Sequence, residues 1–366
     1  MNLKFRKMTA RPTLLVASLL ILTLTLNAPL EACTRAIYVG SDNLVITGRS
    51  MDWGDDMFSN LWLFPRNMSR EGAAGPRSIA WTSKYGSLVV SSYEGATADG
   101  MNEKGLAING LYLVESDYGG PDDRPTISIT AYGQYILDNF ASVAEAVEWF
   151  RSDPIRVIAP TLPNGRSAQC HLAMSDPSGD SAIFEYLGGK LVIHHGKQYK
   201  VLTNSPSYDQ QLAINAYWTG VDPLTFLPGS INAADRFARV SFLIDAIPKE
   251  LDKRTISAVP EKTYENQATI AVMGVMRAVS VPLGITHPTK PNISSTLWRT
   301  AWDHRDKVLY FDSSTSPNAF WVRFAHLDFS ENAPVKKLTL SGGRVYAGNT
   351  ADRFEPAEPF AFLPAD

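Results

Sequence analysis

Cys33 follows a stretch that reads as a secretory leader, and that position gives it chemistry open to no other residue of the chain. Residues 1–12 carry Lys4, Arg6, Lys7 and Arg11, residues 13–26 are apolar apart from Ser and Thr, and Ala28 and Ala32 bracket the segment that ends just before Cys33. A charged start, an apolar run too short to span a bilayer comfortably and a small-residue junction are the parts of a signal peptide. Residues 1–32 are therefore expected to be removed by signal peptidase, leaving 33–366 as the mature chain, exported to a periplasm or secreted. Cleavage after Ala32 puts a thiol and a free α-amine on one residue, so that Cys33 becomes a nucleophile carrying its own base.

The totals narrow the function classes. Of 366 residues, 45% are apolar and 19% charged, ordinary values for a globular protein with ample core. The formal charge is −3, and without the first 32 residues, which hold four bases and one acid, it is −6. A mildly acidic chain with no basic run is a poor nucleic-acid binder. After the leader no apolar run reaches the length of a membrane span. Two cysteines occur, Cys33 and Cys170. An exported protein could pair them, but a disulfide would cap the reactive thiol, so Cys170 is read as a buried small residue.

The elements that must hold Cys33 are mostly strands. Runs rich in β-branched and aromatic residues cover 34–40, 43–51, 60–66, 86–93 and 105–116. Helical spacing of apolar residues follows over 128–153, with Ser142 and Glu145 forming a capping box for a second helix and Pro154 ending it. A meander over 167–206, helices over 232–249 and 265–279, and strands over 296–304, 307–314 and 319–329 complete the chain. No repeat, low-complexity block or linker divides it, so 33–366 reads as one domain. Hairpins outnumber βαβ units, which points to an α+β fold of antiparallel sheets covered by helices.

Several stretches resemble one known family. CTRAIYVG (33–40), GRSMDW (48–53), ADGMNEKGLAINGLY (98–112), VLTNSPSYD (201–209) and AADRFARVSF (233–242) are similar, in order and spacing, to segments of the choloylglycine hydrolases, the N-terminal-nucleophile hydrolases that include penicillin V acylases and conjugated bile acid hydrolases. The resemblance implies a four-layer αββα sandwich, hydrolysis of a linear amide through an acyl-thioester, no cofactor, and a homo-oligomer, a tetramer in the family. It implies Cys33 as nucleophile, Arg49, Asp52, Asn204 and Arg236 as its support, and Tyr112 with Trp53 at the oxyanion hole and pocket wall.

The chemistry fits those assignments. Cations near Cys33 favour deprotonation of thiol and amine, and Arg49 lies on a strand expected to pair with that of Cys33. Asn204 offers an amide N–H, and Tyr112 a main-chain N–H, to a developing oxyanion. Asp52, three residues beyond Arg49, poses a difficulty, because that spacing puts two strand residues on opposite faces unless the strand bulges. Aromatic residues at 53 and 112 favour an aryl or long apolar acyl group. An asparagine commonly matches Tyr112 in bile acid hydrolases, so the aromatic leans toward phenoxyacetyl-type amides. Bile acid conjugates and acyl-homoserine lactones are the alternatives.

Plainer readings compete. Leu30-Glu31-Ala32-Cys33 resembles a lipobox, which would make a lipid-anchored binding protein of no catalytic power. Arg49 with Asp52 reads as an ordinary ion pair, Asn204-Ser205-Pro206 as a turn and Arg236 as a solvated helix face. A Cys–His dyad could draw on His171, His194, His195, His287, His304 or His326. No HExxH, CxxC or phosphate-loop pattern occurs, so no metal or nucleotide cofactor is implied. Asn67 and Asn292 head glycosylation patterns of no diagnostic weight.

Overall fold

The strand that follows Cys33, β1 (Thr34–Val39), and its hairpin partner β2 (Val45–Trp53) are buried on both faces along nearly their whole length. Strands of that kind belong in the middle of a layered stack, which is why their sequences show runs rather than alternation. The computed structural model describes residues 33–285 and 294–365. The proposed leader, His287 and Asn292 lie outside the described residues. β1 and β2 sit in a seven-stranded sheet together with the strands Ser295–Asp303, Val308–Ser313 and Ala319–Arg323. A nine-stranded sheet faces it, built around the strands Ser87–Ser92, Ala96–Asn102, Ala107–Tyr112, Cys170–Ser175 and Ser181–Leu187.

Helices cover the outer faces and complete an αββα sandwich. α1 (Ile129–Asn139) and α2 (Val143–Phe150) pack on the nine-stranded sheet. α3 (Tyr208–Val221) packs on α4 (Ala233–Ala246), and α4 and α5 (Tyr264–Ala278) pack on the seven-stranded sheet. α5 lies close against β2 because Gly48 has no side chain: a Cβ there would stand 2.9 Å from carbons of Val272 and Met276. Two apolar cores result, one centred between the sheets and one under α1 and α2.

Four departures from the sequence reading stand out. α3 was not expected; only Tyr208 and Gln211 of it are buried, so it shows no apolar stripe. The expected strand 319–329 stops at Arg323, where a short 3₁₀ turn takes over. Among the described residues two strand pairs are parallel, Thr126–Ser128 with Arg156–Ile158 and Ala319–Arg323 with Gly348–Asn349, and a single parallel bridge joins Ser78 to Thr126. Finally, the Ser142 hydroxyl caps the Glu145 N–H (3.3 Å), but the Glu145 carboxylate takes the Ala141 N–H (2.7 Å), one residue before the expected cap.

Candidate active site

Strand alternation and one strand end together bring the site residues around Cys33. Along β2, Arg49 and Met51 face the other sheet: Arg49 Nη2 donates to the Gly110 carbonyl and lies 3.7 Å from Met51 Sδ. Ser50 and Asp52 face the helix layer. Ser50 Oγ donates to Asp52 Oδ2 at 3.4 Å, and Arg236 Nη1 of α4 lies 4.0 Å from the same oxygen. Arg49 and Asp52 are thus on opposite faces, as simple alternation requires. The bulge that the sequence reading invoked lies instead on the neighbouring strand, where the register slips between Thr296 and Trp298.

Cys33 meets both faces because it stands at the end of β1. Its thiol lies 3.7 Å from the Asp52 carbonyl and 3.8 Å from Met51 Sδ, on the inter-sheet side. Its carbonyl accepts from Arg236 Nη1 at 2.6 Å, and the same guanidinium donates to the Thr34 hydroxyl. Arg236 Nη2 donates to Asn204 Oδ1 at 3.1 Å, and Asn204 Nδ2 donates to the Tyr112 carbonyl at 2.8 Å. The Tyr112–Cys170 pair is of the non-bonded kind, because the adjacent Leu113 N–H donates to Gln169 O. The peptide groups of Tyr112 therefore point off that pairing edge, and its carbonyl meets Asn204.

Burial sets the electrostatics. Cys33 is 2% exposed, and Arg49, Asp52 and Arg236 are fully enclosed. Burial pushes the Cys33 thiol up, opposed by the Arg49 and Arg236 cations and reinforced by the Asp52 charge. Burial also pushes Asp52 up, to about 6, against the pull of Arg236, Thr296 and Arg49. Two donors of Arg49, Nε and Nη1, have no hydrogen-bond partner among the described residues, and its guanidinium carbon lies 4.8 Å from the centroid of the Trp298 ring. A buried cation with orphaned donors is costly unless something else uses them.

A narrow apolar pocket of about 90 Å³ opens beside the thiol, walled in part by Met51, Trp53, Met57, Tyr112 and Leu162. The rings of Trp53 and Tyr112 meet edge to face at 5.7 Å, and Trp53 Nε1 donates to the Tyr93 hydroxyl at 2.7 Å. Cys170 also lines this pocket and is only partly buried, and no disulfide joins it to Cys33. The expectation of a core cysteine at 170 is thereby corrected. It falls at the start of its strand, opposite Tyr112 and facing the cavity.

The described histidines do not line the pocket. His171 is buried against Glu185, His195 pairs with Asp180, and His304 bonds to Thr47 and the Gly105 carbonyl. No group of three or more metal-ligating side chains poised for an ion occurs among the described residues, and no described helix is long and apolar enough to cross a membrane.

Two residues escaped the sequence reading. Thr296, on the bulged strand, donates to Asp52 Oδ1 and accepts from the Val281 N–H at 2.8 Å. Asp99 lies in the Arg49 field and accepts from Asn109, Thr300 and Trp302. Thr296 carried no usable signal, whereas Asp99 falls inside the quoted stretch 98–112 and was passed over.

The sequence profile described as "Linear amide C-N hydrolases, choloylglycine hydrolase family" matches residues 33–337. The chain belongs to this family. It is 44% identical to a penicillin V acylase of Pectobacterium atrosepticum over 95% of this chain and 96% of that protein. It is 30% identical to a bile salt hydrolase/transferase of Clostridium perfringens over 70% of this chain and 84% of the relative. The structure of a penicillin V acylase from Agrobacterium tumefaciens superimposes with a TM-score of 0.82 at 49% identity, covering 91% of this chain and 100% of that one. As a choloylglycine hydrolase family member, the chain is a linear amide hydrolase by kinship, and its αββα layers are those of its structural neighbours.

Proposed function

We propose that this protein is a penicillin V acylase-like amidase whose nucleophile is Cys33, exposed by cleavage after Ala32 during export. The observation that carries the reading is the position of the thiol. It is enclosed at the mouth of an apolar pocket, with Arg49 on one side and Asp52 and Arg236 on the other. In that reading the α-amine takes the thiol proton and Sγ attacks the amide carbon. The oxyanion is met by the second N–H of Asn204 and the main chain at Tyr112. The leaving amine departs with the proton, and water then hydrolyses the thioester to release the acid. Asp52 orients the new amine, and the cations Arg49 and Arg236 favour the thiolate. Trp53 and Tyr112 hold the acyl group, which favours a phenoxyacetyl amide.

Burial of Cys33 argues against the lipid-anchored reading, since an acylated anchor cysteine must reach the surface. The apolar side chains of Tyr217, Leu224 and Phe226 are exposed on and after α3 and support association of copies, a tetramer by the family resemblance. Cys33→Ser is expected to keep the melting temperature within a few degrees and to lose at least about a thousandfold in kcat/KM for penicillin V; activity retained in that variant refutes the nucleophile. Intact mass separates a free Cys33 terminus from a diacylglyceryl adduct. Comparing kcat/KM for penicillin V, a bile acid conjugate and an acyl-homoserine lactone ranks the substrates.

A further inference from the structure

The pocket beside Cys33 spans two layers of the sandwich. Cys33 and Met51 belong to the seven-stranded side, whereas Ile129, Thr130 and Gly133 come from the first turns of α1, on the outer face of the nine-stranded sheet. The cavity passes that sheet where its residues are small, at Ala96, Ala98 and Gly110. The lining thus includes Ala96, which follows the turn at Gly95, and the start of α1.

Thr97 Oγ1 donates directly to Gln134 Oε1 of α1 at 2.9 Å, and Leu363 joins the two pieces a second time from outside. The Leu363 N–H donates to the Gly95 carbonyl at 2.8 Å, and the Leu363 carbonyl accepts from Ser128 Oγ at 2.9 Å and Thr130 Oγ1 at 3.0 Å. Its side chain lies directly over Gly95, where a Cβ would come 2.7 Å from Leu363 Cγ. The segment is pinned on both sides of this residue. Phe360 packs on Trp62 and Phe64 at ring distances of 5.4 and 5.6 Å, and the Ala365 N–H donates to the Ala73 carbonyl at 2.8 Å. All of these tail residues lie beyond the stretch 33–337 that matches the family.

We propose that residues 360–365 are a specificity strap: by clamping the Gly95 turn to α1 they fix how long an acyl chain the pocket takes. The proposal rests on reading this pocket as the acyl site and adds what limits its depth. Leu363 is a positioning residue, acting through the wall it holds.

The test measures binding of saturated fatty acids, hexanoate to tetradecanoate, by the fluorescence change of pocket tryptophan. Leu363→Ala, Gly95→Ala and the double variant are compared with the wild type. Leu363→Ala leaves a gap over Gly95, and Gly95→Ala pushes the strap outward. In the double variant the new methyl fills the gap. Each single variant is expected to tighten binding of acids one or two methylenes beyond the wild-type limit by about four- to tenfold. The double variant should return to within about twofold of wild type. If one single variant fails to fold, the other carries the test. An unmoved length limit in the folded single variants overturns the strap, as does the absence of saturable acid binding to the wild type. Hydrolysis of penicillin V is read alongside: no turnover with a moved limit sinks the amidase reading alone, and full turnover with an unmoved limit sinks the strap alone.

Discussion

Two polar clusters are buried along the same pair of strands, β2 and Ser295–Asp303, and they are satisfied to different degrees. Around Asp99 and His304 the bonding is nearly closed, with Asn109 Oδ1 the one cluster atom lacking a partner among the described residues. The Asp99 carboxylate accepts from Asn109 (2.8 Å), Thr300 (2.6 Å) and Trp302 (2.9 Å). His304 donates through Nδ1 to the Gly105 carbonyl, which can only accept, so its Nε2 accepts from the Thr47 hydroxyl at 2.7 Å. Burial holds His304 down, to about 4, and therefore neutral. Around Cys33 the bonding is open: the thiol makes only long contacts, two Arg49 donors are orphaned, and an apolar cavity stands alongside. Equal burial with unequal satisfaction separates a joint between sheets from the candidate site, whose spare donors are those the proposed reaction would use. Arg49 belongs to both, since its charge acts on Asp99 and on Cys33.

The sharpest way to break this contrast is to open the closed cluster. Asp99→Ala leaves the donors of Asn109, Thr300 and Trp302 without an acceptor and Arg49 without its facing carboxylate. Chemical denaturation should show a loss of about 3–5 kcal/mol, and a loss below about 1 kcal/mol would mean that the cluster is not structural. Asp52 gives the next effect, with a definite sign. Its pKa is raised in the folded protein, so it stabilises the fold at low pH, and that contribution fades as pH climbs toward about 6 and beyond. Asp52→Asn should remove this dependence. Measured as the difference between wild type and variant, the wild type gives up as much as about 3 kcal/mol between pH 4 and 7. His304 pulls the other way, since a depressed histidine adds stability as pH rises from about 4. The difference between the two proteins, and not either melting curve alone, isolates Asp52. The smallest effect belongs to Thr296. Thr296→Val removes the donor to Asp52 Oδ1 and should lower kcat/KM about tenfold while moving the acid limb of the pH–rate profile upward. Thr296→Ser should restore both. A lowered rate with an unshifted profile would make Thr296 merely a packing residue.

That the candidate residues gather was legible because they fall in short, ordered motifs anchored by Cys33, and because strand pairing between β1 and β2 follows from sequence. What stayed illegible was how faces are shared. Arg49 and Asp52 looked incompatible, since a sequence shows alternation but not that a residue at a strand end is seen from both sides. Thr296 depends on a bulge, which leaves no mark in composition. α3 escaped because it buries only Tyr208 and Gln211, too little for a period. The run 319–329 misled for the opposite reason: Phe324 and Phe329, beyond the strand end, still reach the core, their tilted rings 5.2 Å apart.

The guanidinium of Arg236 grips the Cys33 carbonyl and the Thr34 hydroxyl, atoms that both lie downstream of the 32–33 peptide bond. If that bond is cut as proposed, both contacts stay with the chain that begins at Cys33, and the hold on its first two residues outlasts the processing step.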